Sequence, residues 1–155
     1  MFKNRVFKNI LSALAVIFFG FILLNLTFLL NFLFFSLIEL LIPQHLTETG
    51  DWQWFPPARH VLFLVIIGLI SWPILKSRLR TLLKAIYLVV PVAVTLVTVG
   101  LLLNTLPLLS YLICALLSLA TLVYLYLTRR PWLYYFAVII VAFSLLVFNL
   151  MGGEI

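Results

Sequence analysis

Acidic side chains are scarce in this chain: four in 155 residues, Glu39, Glu48, Asp51 and Glu154, against ten Lys and Arg. Charged residues of both signs total 9%, hydrophobic residues reach 66%, and mean hydropathy is +1.29. Soluble domains carry roughly a quarter charged residues, so a water-soluble fold is excluded. Cysteine is limited to Cys114, inside an apolar run. No intramolecular disulfide can form, and neither redox chemistry nor a thiolate metal site is implied. No internal repeat or low-complexity linker divides the sequence, which leaves room for one domain over 1–155.

The charge that is present is segregated. Nine of the ten cations fall into three patches (Lys3, Arg5, Lys8; Lys76, Arg78, Arg80, Lys84; Arg129, Arg130), with two long apolar runs between successive patches and the four acids outside them, three in the first gap and Glu154 after the last patch. Basic flanks retained on the cytoplasmic side during insertion give a polytopic membrane protein this alternation. A net charge of +6 would suggest nucleic acid in a soluble protein. Here the cations are short flanks of apolar spans, where they meet anionic lipid headgroups, and nucleic-acid binding is rejected. Lys3, Arg5 and Lys8 also resemble a signal-peptide flank, but the apolar run continues to Ile42, so it reads as an uncleaved span.

The expected fold is therefore all-α: an integral membrane bundle of five transmembrane helices, N-terminus cytoplasmic and C-terminus outside, in the plasma membrane of a prokaryote. Expected spans are 10–33 with an extension to 42, then 58–75, 85–103, 108–127 and 131–151, with an outer loop over 43–57. An odd number of spans excludes two equal inverted halves. The first segment would be about 50 Å long as one helix against a hydrocarbon core of about 30 Å, so its excess must tilt, project or bend at the outer interface. Trp72, Tyr87, Tyr124, Tyr126, Trp132, Tyr134 and Tyr135 fall at expected inner boundaries, and Trp52, Trp54 and Tyr111 at outer ones, the depth amphipathic rings favour. Pro91 should kink the third span, with Thr95 and Thr98 satisfying carbonyls that it frees.

Polar groups within lipid need partners, which makes each a site candidate. Asn25 and Glu39 share a helical stripe with Phe32 between them, and Thr27 and Asn31 form an i,i+4 pair, all offered to neighbouring helices. Arg59 is the expected partner of Glu39. Around the outer loop, Glu39, His45, Glu48, Asp51, Arg59 and His60 gather nearly all the outer ionisable groups. A carboxylate with a histidine could work as acid and base on a lipid headgroup. No dense metal-ligand motif is present, and no metal or cofactor is expected. Candidate ligand contacts are Asn25, Asn31, Glu39, His45, Asp51, Trp52, Trp54, Arg59 and His60. On the fourth span, Ser110, Cys114 and Ser118 repeat every four residues, a small-residue seam for close packing within the bundle, for self-association or for a membrane-protein partner.

The run Trp52-Gln53-Trp54-Phe55-Pro56-Pro57, leading into the second of five spans, resembles the tryptophan-rich sensory (translocator) proteins over about ten residues. The later spans lack the Trp and Asn positions of that family. The residues support three readings: a non-catalytic subunit or accessory of a larger membrane complex first, a binder or conduit for a lipid-like molecule entering between the first two helices second, and a lipid-modifying enzyme third. Charged-substrate transport is disfavoured, because the central parts of spans two to five offer only apolar residues, small hydroxyls and Cys114.

Overall fold

The structure is a computed structural model that describes residues 2–41 and 55–150. Among these residues it is all helix, without strands, in five helices: α1 (Phe2–Leu41), α2 (Phe55–Lys76), α3 (Thr81–Leu102), α4 (Pro107–Leu127) and α5 (Trp132–Leu150). Four of them, α1 to α4, are long and apolar enough to cross a bilayer, and α5 is a further apolar helix whose described side chains run Trp132–Phe148. The expected 43–57 loop falls outside the described residues except for its last three, which open α2. Pro56 and Pro57 occupy the first turn of α2, where a missing N–H breaks no intrahelical bond.

α1 is one uninterrupted helix of 40 residues, about 60 Å at 1.5 Å per residue. It takes in the basic patch from Lys3 to Lys8 as its first turns. The helices α2 and α3 likewise claim Lys76 and Lys84, so the second basic patch is mostly helix ends around a short connection. That connection is closed by side chains. Lys84 Nζ donates to the Leu75 carbonyl at 2.7 Å, and Ser77 Oγ to the Ile74 carbonyl at 2.6 Å, satisfying carbonyls left open at the C-terminus of α2. Lys76 stacks its ammonium 4.0 Å from the Trp72 ring centroid.

The turn from α4 to α5 is a Schellman arrangement: Arg130 N–H reaches the Leu125 carbonyl and Arg129 N–H the Tyr126 carbonyl, both at 3.0 Å. Arg129 takes the left-handed backbone this requires, φ 49°. Glycine would spare about 1–2 kcal/mol there. A cation stands at that position instead.

α3 is the hub. It packs against each of the other four helices, α1 also meets α5, and α4 meets α5. Half of α3 is buried, while α1, α2 and α4 leave most of their surface exposed. Lipid chains are as apolar as leucine, so helices associate through close van der Waals packing, and small residues mark the contacts. Ala85 and Ala93 on α3, Ala137 on α5 and Val16 on α1 are all essentially sealed. At the α1–α3 crossing the fit is tightest: a methyl added at Gly20 would lie 2.9 Å from Val89 Cγ2. Gly68 on α2 faces open space instead.

One cluster joins Val16 of α1, Ala85 and Val89 of α3, Leu125 of α4 and Leu133 and Ala137 of α5. It brings the starts of α1, α3 and α5 and the end of α4 to one end of the bundle. All three basic patches therefore share that end, with Arg78 and Arg129 on the same side. Of the expected belt aromatics there, Trp72, Tyr124, Tyr126 and Trp132 are exposed, but Tyr134 is buried in the cluster and belongs to the core. α3 continues through Pro91. The expectation for Thr95 is corrected: its hydroxyl donates to the Pro91 carbonyl at 2.7 Å. A helical threonine reaches only three or four residues back, and the carbonyl freed by Pro91 is that of Tyr87, two turns away.

Candidate functional site

Of the residues expected at the outer site, His45, Asp51, Trp52 and Trp54, like Glu48, lie outside the described residues, and so does the side chain of Glu39 in the last turns of α1. Asn25, Asn31, Arg59 and His60 are described, and they divide between two faces of α1.

Asn31 belongs to the face toward α2. Phe28, Asn31 and Phe35 follow i, i+3, i+7 spacing. Phe28 meets Phe63 with ring centroids 6.5 Å apart, and the Arg59 guanidinium stands 5.5 Å from the Phe35 ring centroid. Phe35, Phe63, Ile67, Val90 and Val94 form a second apolar cluster there, joining α1, α2 and α3. The expected way in between the first two helices is thus packed with aromatic and aliphatic side chains over its described part. Asn31 Oδ1 is buried without a hydrogen-bond partner. An orphaned buried acceptor costs about 1–3 kcal/mol. Its i−4 neighbour Thr27 does not relieve it, because the Thr27 hydroxyl donates to the Leu23 carbonyl at 2.7 Å. His60 is half-buried beside Arg59 in the first turns of α2.

Asn25 is on the other face, and here the expectation that it meets neighbouring helices of the bundle is corrected. Asn25 is exposed, as are Phe18, Phe21 and Phe32 on the same stripe. Its Nδ2 donates to the Phe21 carbonyl at 2.8 Å, a bond within its own helix. Counted from Lys8, Asn25 sits about 25 Å along α1. The cause is geometric. Gly20 and Val16 commit one face of α1 to α3, Phe28 and Phe35 commit a second to α2, and the Phe18–Asn25–Phe32 stripe is left over. The seven-residue spacing of these three was legible in the sequence; its outward direction was not.

The small-residue seam of α4 turns inward. Cys114 Sγ lies 3.7 Å from the Leu96 carbonyl of α3. Ser110, Cys114 and Ser118 line a partly open groove of about 380 Å³ with Leu96, Val138 and Ala142 of α3 and α5. The volume is within the 300–1,000 Å³ typical of small-molecule pockets. Its walls are almost wholly apolar, and the Ser118 hydroxyl is already spent on the Cys114 carbonyl at 2.8 Å. This is the packing reading of the seam, with the fit left incomplete.

Comparison with family models, with curated proteins and with solved structures finds no match for this chain.

Proposed function

We propose that this chain is an integral protein of the plasma membrane, crossing it five times with its basic end cytoplasmic, and that it acts without catalysis as a subunit or accessory of a larger membrane complex. The observation that carries the second part is Asn25. An amide exposed on the lipid side of a spanning helix lacks the interhelical hydrogen bond that would repay its transfer from water. Leu14, Phe18, Phe21 and Asn25 follow the alternating four- and three-residue spacing of a helix–helix seam, with Phe32 seven residues further on. One polar residue in such a seam is the best-attested device for fixing register and partner. The occupant that fits is a transmembrane helix of another membrane protein, with a polar side chain at the same depth.

Purification of the full chain in mild detergent, with the mass of the particle measured, tests this. The expected result is a stoichiometric membrane-protein partner, with the association weakened about 3- to 20-fold by Asn25→Leu, the range for one such hydrogen bond. Because Asn25 bonds only within α1, the variant should remain folded. A solitary monomer, or a complex indifferent to Asn25→Leu, would refute the reading; a particle containing only this chain would replace the foreign partner with a second copy.

A further inference from the structure

A second cavity, of about 420 Å³, opens between α1 and α3 toward the basic end of the bundle, and only apolar side chains line it: Ala15, Phe19, Ile22 and Leu26 from α1, Leu83 and Ile86 from α3 among them. What distinguishes it from the α4 groove is the charge at its mouth. Lys8 lies on the same stripe of α1 as Ala15, Ile22 and Leu26, two turns nearer the helix start, and is exposed. The two helices run in the same direction, and Gly20 abuts Val89, as Val16 and Ala85 share the core beneath. That register sets the first turns of α3 level with the turns of α1 around Lys8 and Leu11. Arg80, the N-cap of α3, is therefore level with Leu11 and within one turn of the depth of Lys8, and it too is exposed.

Two of the neighbouring cations are otherwise engaged, while Arg5 and Arg78 are exposed at the same end. Lys84 is bonded to the Leu75 carbonyl, and Lys76 lies over Trp72. Neutralisation from within α1 is remote, since its one acid, Glu39, is about 45 Å further along the helix. Lys8 and Arg80 thus present positive charge at the mouth of an apolar slot, in the layer where headgroups meet the hydrocarbon. We propose that this slot is a binding site for an anionic phospholipid of the leaflet at the basic end, one acyl chain lying between α1 and α3 and the phosphate held between Lys8 and Arg80. A zwitterionic lipid brings its own cation to the same place and is held less well. The site rests on the bilayer insertion proposed above but not on the reading of Asn25.

Native mass spectrometry of the full chain in mild detergent, titrated with phosphatidylglycerol or with phosphatidylcholine of the same chains, tests the assignment. The parent should retain one phosphatidylglycerol in preference to phosphatidylcholine. The Lys8→Ala/Arg80→Ala pair should weaken phosphatidylglycerol binding about 25-fold, roughly 5-fold for each cation removed, and bring the two lipids level. The Arg129→Ala/Arg130→Ala pair, which removes the same charge from the same end, should leave the preference intact. Ala15→Phe, which fills the slot, should weaken both lipids. Equal retention of the two lipids by the parent, or an equal loss from both arginine-bearing pairs, would overturn the site. So would phosphatidylglycerol binding that ignores Lys8 and Arg80, a result readable even if Ala15→Phe fails to fold, because both cations are exposed.

Discussion

Gly20→Ala should loosen the α1–α3 contact by a margin that can be worked from the coordinates. The new methyl would lie 2.9 Å from Val89 Cγ2, 3.3 Å from Val89 Cβ and 3.5 Å from Val89 Cγ1. Carbon atoms prefer separations of about 3.5–4.0 Å, so the closest contact is short by about 0.6–1.1 Å. Val89 is β-branched and nearly fixed at χ1 in a helix, and it is itself buried. It cannot turn aside, and the helices must part. Overpacking of this kind costs about 1–3 kcal/mol, against a gain of about 0.5–1 kcal/mol from replacing a mid-helix glycine. The net loss should be up to about 2.5 kcal/mol, centred on about 1 kcal/mol. Gly68→Ala, with nothing within 4 Å of the new methyl, supplies the control and should be neutral or slightly stabilising. Reversible unfolding in bicelles or mixed micelles measures both. Val89→Ala in the Gly20→Ala background should recover part of the loss, a coupling between touching residues that a double-mutant cycle isolates. Were Gly20→Ala to match Gly68→Ala, the close approach of α1 and α3 would not exist as described.

Two further outcomes are expected. Ser71 Oγ lies 2.6 Å from the Ile67 carbonyl and 3.1 Å from the Tyr87 hydroxyl; its single proton goes to the carbonyl, so Tyr87 donates across from α3, and Tyr87→Phe should cost about 0.6–1.7 kcal/mol in the same unfolding assay while Ser71→Thr keeps the acceptor. With Cys114 replaced by alanine, an impermeant thiol reagent on intact cells should label a cysteine at Ser36 or Asn104 and spare one at Thr128; the reverse pattern would invert the proposed orientation.

Long apolar helices are plain in a sequence and their interfaces are not, and this chain shows both. The spans expected over 85–103, 108–127 and 131–151 differ from α3, α4 and α5 by a few residues at their ends. Of these three the largest discrepancy, four residues at the start of α3, arises because Lys84 belongs to the basic patch that reads as a loop, although it lies in the helix and folds back to bond the preceding one. The candidate site was less legible. Asn25 and Asn31 were both marked, but the structure sends them to opposite duties, one exposed and one holding an unmet buried acceptor. Neither the α1–α3 slot nor its pairing of Lys8 with Arg80 was visible in advance, since it depends on a register set seventy residues apart by Gly20 and Val89.

By itself the sequence determined that the long apolar segments are helical and that the cations gather at alternate helix ends, because run length, proline placement and charge segregation are local properties. Only the tertiary structure decided that α3 stands at the centre, that the α4 seam turns inward and that Asn25 looks out. In a soluble helix the apolar stripe shows which side is buried. Here every side is apolar, so the inward face is chosen by which small residues let two backbones meet, and that is settled between helices rather than along any one of them.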